Sequence, residues 1–224
     1  MLQTYTCSEH TFIPSWIGPD AIVVDLGMNE GRFARAMIDN FGARVVGVEP
    51  DASLAEKNRQ SGLDCQRLAI GAAVGEAAFL VDQHDSRGSR LITPNDNEQG
   101  SLMVPVAPLS VFLEEAGIDR VALLKIDIEG AELNLFESEA AVLDRVDQIT
   151  VEFHSFAFPE HEPRASAIIT MMKRRGFYCL DWTLCQMDVL MVNTRHRPLT
   201  WLQRRSLESL KYSRGLKRRM GITA

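Results

Sequence analysis

The chain has 224 residues, 46% hydrophobic and 24% charged, with a net charge of −6. That is ample apolar material for one packed core and too much for a disordered chain. No run approaches the roughly 18 apolar residues of a membrane span, and four cysteines without a C-x-x-C pairing, with no Lys or Arg before Arg32, fit a reduced, cytoplasmic protein without a secretory signal.

In chain order, residues 21–26 read as a buried strand ending in an acid, Asp25, followed by the turn Gly27-Met28-Asn29-Glu30-Gly31. A helix over 30–41 follows from the spacing of Phe33, Ala34, Met37, Ile38 and Phe41, with Gly42 at its C′ position. Residues 44–49 form the next strand and carry Glu49 at its tip, one βα unit after Asp25. A Rossmann-like fold places a ribose-binding acid at that spacing. A helix over 51–61 and a strand over 64–70 come next. Ala77–Val81 and Leu102–Val106 are candidates for a short extra β pair, and the polar segment Asp85 to Gly100 reads as a lid or binding loop. A helix over 108–116, a strand over 121–127, a helix over 130–143, a strand over 147–153 and a helix over 162–176 precede two closing strands, 177–182 and 187–193. Such alternation predicts an α/β doubly wound, mostly parallel sheet.

The most informative stretch is Leu123-Leu124-Lys125-Ile126-Asp127-Ile128-Glu129-Gly130-Ala131-Glu132. An apolar run turns abruptly to charge at positions of one parity, which a strand points to one side. Charge entering a buried strand is costly unless paired or working, and the carboxyl end of a strand is where open α/β sheets bind ligands. The glycine turn lacks both the G-x-G-x-x-G of dinucleotide sites and the Lys-Ser/Thr of a P-loop. Asp25 and Glu49 would also repel a polyphosphate. A cofactor with an amino acid, a sulfonium, a ribose and no phosphate suits such a site, and S-adenosylmethionine fits that description.

Asp25-Leu26-Gly27-x-Asn29-x-Gly31, Val48-Glu49-Pro50, Ala69-Ile70-Gly71, Leu124-Lys125-Ile126-Asp127-Ile128-Glu129-Gly130-Ala131-Glu132 and Val151-Glu152-x-His154 occur in the order and spacing of the FkbM-type methyltransferases. Over roughly 20–195 the chain resembles that family. Met28 stands where the family usually has a small residue. The resemblance implies a class I methyltransferase sheet of seven strands, the last antiparallel, and an S-adenosylmethionine-dependent O-methyltransferase. The acceptor it implies is a hydroxyl, of a sugar in a glycan or glycoside. A methyltransferase of non-sugar natural products, a nucleotide-dependent oxidoreductase and a non-catalytic module are the alternatives.

Residue roles follow. Asp25, Gly27 and Gly31 belong to the cofactor's methionine end and its turn, and Glu49 to the ribose hydroxyls. Asn29 is expected to cap the first helix and to touch the cofactor, and Ala69 and Ile70 to lie near the adenine. Asp127 is a contact for the cofactor amino group or the acceptor. Lys125 is expected either to orient the acceptor and stabilise its oxyanion or to pair with Asp127 or Glu152. Glu129 faces the substrate, whereas Glu132, early in a helix, is structural. Glu152 and His154 lie together at a strand end, with His154 a candidate base and substrate contact. Asp127, Glu152 and His154 have the mixed oxygen and nitrogen donors of a divalent-cation site, although no metal site is predicted. His10, His84, His161 and His196 read as surface residues.

The tail changes character. Residues 1–197 read as the catalytic domain and 198–224 as a basic helical tail. From Trp201 onward seven basic residues face the single acid Glu208, +6 against −12 for the rest. A helix docked on the acidic body, or one touching anionic lipid or a lipid-linked substrate, accounts for this pattern. Nucleic acid is not expected, and oligomeric state is left open.

Overall fold

A computed structural model describes residues 2–80, 90–91, 101–156, 161–183 and 186–219. The chain opens with a hairpin, β1 (Tyr5–Cys7) and β2 (His10–Phe12), and then alternates: β3 (Ile22–Leu26), α1 (Arg32–Phe41), β4 (Arg44–Val48), α2 (Ala52–Gln60) and β5 (Asp64–Gln66). Four short strands follow, β6 (Ala69–Ile70), β7 (Gly75–Leu80), β8 (Arg90–Leu91) and β9 (Ser101–Ala107). The second half contains α3 (Leu109–Glu115), β10 (Leu123–Ile126), α4 (Glu132–Ser138), β11 (Gln148–Val151), α5 (Glu162–Arg174), β12 (Phe177–Asp181), β13 (Val189–Asn193) and α6 (Trp201–Arg219).

Seven strands form one sheet in the order β12-β13-β11-β10-β3-β4-β5. Only β13 runs against the others, pairing antiparallel with both β11 and β12. This is the expected class I methyltransferase sheet. The strand order reverses between β3 and β10, so the tips of these two strands flank the switch point at which such sheets bind ligands.

The parity of the strands sorts the core. Val24, Leu26, Leu124 and Ile126 face α3 and α4, packing with Phe112 and Phe136. Val23, Val45 and Leu123 face Phe12, Phe33 and Met37 on the other side. Helix α1 buries Phe33, Ala34 and Met37 and stops at Gly42, whose left-handed backbone lets its N–H reach the Ile38 carbonyl at 2.9 Å. Helix α2 starts at Asp51, whose carboxylate accepts from the Ser53 and Leu54 amides.

Four expectations are corrected. Asn29 does not cap α1. The helix starts at Arg32, Gly31 holds the N-cap position, and no side chain caps it. The strand expected over 64–70 is two: β5 stays in the main sheet, while β6 crosses to a second sheet of order β6-β9-β7-β8. That sheet contains the anticipated extra pair, with Phe79 opposite Leu102. The helix expected over 130–143 ends at Ser138, and Glu139 turns its carboxylate to the Ser110 amide, 2.7 Å away, at the start of α3. Finally, the β1–β2 hairpin was not anticipated. It is tied to the sheet by Ile13 N–H donating to Gln148 (3.0 Å) and Thr11 N–H donating to Asp188 (3.0 Å).

The polar segment 85–100 lies outside the described residues except for β8, as does His84. The described cysteines Cys7, Cys65 and Cys179 are free. Among the described residues no helix is long and apolar enough to cross a membrane. Helix α6 docks through Leu207 and Leu210 against Ile13, Leu180 and Trp182. Arg214 lies 4.7 Å over the Trp182 ring and donates to Thr4 and Thr11. Trp201, Leu202 and Tyr212 stay exposed.

Candidate active site

A cavity opens at the strand tips. Its walls include Gly27, Asn29, Glu49, Ala69, Ile70, Asp127 and Glu129, together with Phe79 and Leu91 from the second sheet. Seven of the sequence-selected residues therefore meet in one space. Ala69 and Ile70 reach it from β6, outside the main sheet. Phe79 and Leu91 were not anticipated here, although Phe79 lies in the expected extra β pair, because local pattern does not say that this pair reaches the strand tips.

The turn after β3 makes the floor. Gly27 has φ +79°, and a Cβ there would fall on the Asp127 carbonyl, so only glycine lets this turn lie across the end of β10. Asn29, with φ +49°, presents its backbone amide to Glu49 at 2.7 Å. Glu49 also accepts from the Asp51 amide at 2.9 Å. Burial nevertheless pushes its carboxyl up to about 6, against the pull of these two amides.

Gly31 does not line the cavity. A side chain there would strike Asn58 and Leu63, so it serves the packing of α1 against α2 and β5. Met28 also points away. It is buried among Phe12, Phe33 and Met37 and lies over Gly47, where a Cβ would sit 2.6 Å from its sulfur. The bulk at this position thus fills a hollow in the core, away from the cavity.

Behind the floor lies a buried charge cluster. Lys125 and Asp25 are register partners on β10 and β3. Nζ of Lys125 is 3.1 Å from Asp25 and 3.5 Å from Asp127, and it donates to the Gly27 carbonyl at 2.5 Å. Both residues are essentially inaccessible. Burial opposes the ammonium, but the two carboxylates outweigh it and hold the Lys125 pKa above its usual value. Burial likewise raises Asp25 despite Lys125. Of the alternatives for Lys125, the geometry places it in an ion pair with Asp25 and Asp127, fastening the glycine turn to β10.

Asp127 and Glu129 extend from this cluster into the cavity. Burial opposes the charge on Asp127, yet Lys125 and the imidazoles of His10 and His154 prevail and hold its carboxyl well below the usual range. Glu129 occupies a left-handed turn, φ +50°. The turn is held by Glu132, which accepts from the amides of Ile128 and Gly130 at 3.0 to 3.1 Å. Glu132 also binds Nδ1 of His154 at 3.0 Å, leaving Nε2 3.1 Å from Glu129. Burial disfavours a charged His154, but Glu129 and Glu132 push it up to about 11. At neutral pH His154 is then an imidazolium without a lone pair to act as a base. Glu152 and His154 stand behind Asp127 and Glu129, outside the cavity lining. Burial, with Asp127 nearby, raises Glu152 to about 7.

One residue was misread. His10 is fully buried, with its ring 5.9 Å from that of Phe33 and its Nδ1 3.3 Å from the Thr150 hydroxyl. A histidine on an isolated short strand 117 positions before Asp127 carries no periodicity that would signal this placement.

The cavity has three carboxylates and no Lys or Arg among its described lining residues, which suits a cationic ligand better than a polyphosphate. The match to known families is decisive: the Methyltransferase FkbM domain model covers residues 25–179. The chain belongs to the FkbM methyltransferase family. It is 24% identical over 198 residues to the 2-O-methyltransferase NoeI of Sinorhizobium fredii, covering 79% of this chain and 81% of that protein. It is 25% identical over 202 residues to the AMB antimetabolite synthetase AmbE of Pseudomonas aeruginosa, covering 71% of this chain but only 10% of that much longer protein. Among solved structures, an rRNA methylase from Streptococcus thermophilus superimposes over 80% of this chain and 88% of its own, with a TM-score of 0.41 and 12% identity.

S-adenosylmethionine is the cofactor expected for this FkbM chain, and the residues present fit it. Glu49 would meet the ribose hydroxyls, and Ala69, Ile70 and Leu68 would give the base an apolar wall. Gly27, Asn29 and Asp127 surround the end at which an ammonium and a sulfonium would be stabilised by the carboxylates.

Proposed function

We propose that this protein transfers a methyl group from S-adenosylmethionine to a hydroxyl oxygen, with a sugar of a glycan or glycoside as acceptor. The carrying observation is the contrast inside one cavity between Glu49 at one end and the paired Asp127 and Glu129 at the other. The likeness to NoeI, a 2-O-methyltransferase, supports oxygen as the acceptor atom; the sugar is what the family resemblance implies.

The cofactor, when bound, supplies an activated methyl on a sulfonium sulfur. The chain's own residues align the acceptor, exclude water and take its proton. Asp127 stays ionised and fixes the cationic end. Glu129 faces the cavity, is held by His154, and receives the acceptor proton. Glu132, His154 and Lys125 are positioning residues for Glu129 and Asp127. Glu152 and His154, the latter the candidate base of the sequence, act from behind the wall.

Methyl transfer to a panel of hydroxylated sugars, followed by mass spectrometry, tests the proposal. Glu129→Gln should lower kcat by about 10²–10⁴-fold while leaving S-adenosylhomocysteine affinity within about twofold. Normal turnover in that variant would remove Glu129 from proton transfer. A folded protein that binds neither cofactor form would overturn the proposed activity.

A further inference from the structure

Behind the wall of the cavity, a buried imidazole nitrogen lacks a hydrogen-bond partner. His10 is fully buried, and its Nε2 has no hydrogen-bond partner; Asp127 Oδ2 is the carboxylate it faces, 3.6 Å away. Glu152, a buried residue, brings its carboxylate to the same place. Leaving a buried ring nitrogen unsatisfied is costly. Ligand atoms of His10, Asp127 and Glu152 all lie within 4.8 Å of one another. Two ligands about 2.1 Å from a shared ion at a tetrahedral angle stand about 3.4 Å apart, close to the separation seen between His10 and Asp127.

The imidazole is also prepared. A metal-bound histidine characteristically gives its other ring nitrogen to a fixed partner. Here Nδ1 of His10 is held against the Thr150 hydroxyl, which leaves Nε2 aimed at the carboxylates. Charge argues the same way. Asp25, Asp127, Glu129, Glu132 and Glu152 gather here against one lysine and the imidazoles of His10 and His154. Negative charge in a poorly solvated interior calls for a cation.

We propose that His10, Asp127 and Glu152 form a binding site for one divalent first-row metal cation. One imidazole and two carboxylates match the mixed nitrogen and oxygen preference of Mn²⁺, Fe²⁺ or Zn²⁺ rather than the oxygen cages of Ca²⁺. Asp127 belongs both to this triad and to the cavity wall, so the ion sits at the acceptor end. Glu129 stays outside the triad and keeps its place as proton acceptor. The positioning of an acceptor by this ion rests on the methyl-transfer proposal; the binding of the ion does not.

Full-length protein, stripped with a chelator, is titrated with Mn²⁺ and the free ion is followed by electron paramagnetic resonance. One Mn²⁺ per chain is expected. His10→Gln and Glu152→Gln should each weaken binding at least tenfold. Thr150→Val, which removes only the support of Nδ1, should weaken it about tenfold. If His10→Gln fails to fold, Glu152→Gln and Thr150→Val decide. No saturable binding up to about 1 mM, or binding unchanged in the folded variants, overturns the site. Calorimetry with S-adenosylhomocysteine on the same sample separates the two proposals. Cofactor binding without Mn²⁺ binding sinks only the metal site, and Mn²⁺ binding without cofactor binding sinks only the methyl-transfer proposal.

Discussion

The two ends of the cavity are built on opposite plans. The end assigned to ribose and adenine is made of apolar side chains around one carboxylate, Glu49, which backbone amides hold. The acceptor end is made of side chains that carry charge, locked to one another through Lys125, Glu132 and His154. The first plan tolerates change because backbone holds its one carboxylate. In the second, each group depends on the others, and removal of one leaves its partner charged and buried.

The sharpest way to break this contrast is Lys125→Met. It strands Asp25 in the core and should cost about 3–5 kcal/mol, a fall in melting temperature of about 10 °C for a chain of this size. A double variant, Asp25→Leu with Lys125→Met, should recover most of that loss, since an apolar pair of similar volume replaces the ion pair. Thermal unfolding of both variants checks it, and a single variant as stable as wild type would deny the interdependence. Met28→Ala probes the core side of the glycine turn. Emptying the hollow over Gly47 should cost about 2–3 kcal/mol, yet S-adenosylhomocysteine affinity should not change. A loss of affinity beyond the loss of stability would place Met28 nearer the ligand than described. The mildest test addresses the ribose end. An ionised Glu49 would accept from ribose hydroxyls more strongly than a protonated one, and its pKa stands at about 6. Affinity should therefore be flat above that value and fall below it toward that of the protonated form. Glu49→Gln should bind about tenfold more weakly and lose the pH dependence, which calorimetry across pH 5 to 8 would show.

The cofactor end was the more legible in sequence. Gly27 and Glu49 are announced by strand tips and a glycine turn, features encoded within a few consecutive residues, whereas Asp25, expected beside them, is buried behind the floor with Lys125. The positions of Asp127 and Glu129 were equally plain, because charge breaks an apolar run there. Their partners were harder to foresee. Glu132 looked like an ordinary acid at a helix start, and nothing local says that its carboxylate folds back on Ile128, Gly130 and His154. His10 lies on an element too short to show a period, and only tertiary packing brings it to Thr150 and Asp127. Phe79 and Leu91 depend on a second sheet whose pairing spans the polar segment. Local pattern reveals where a strand ends, while the company a side chain keeps there is set by distant parts of the chain.

The family match begins at Asp25 and ends at Cys179, whereas the folded body does not. The β1–β2 hairpin buries Phe12, Ile13 and His10 against the sheet, and Leu207 of α6 is buried beside Ile13. Arg214 then bonds the last helix to the first residues through Thr4 and Thr11. The two ends of the chain thus close over one flank of the sheet like a clasp. A recombinant fragment trimmed to the homologous region would lose Phe12, expose Phe33 to water and should aggregate. Fusion partners belong beyond the clasp, at the outermost residues.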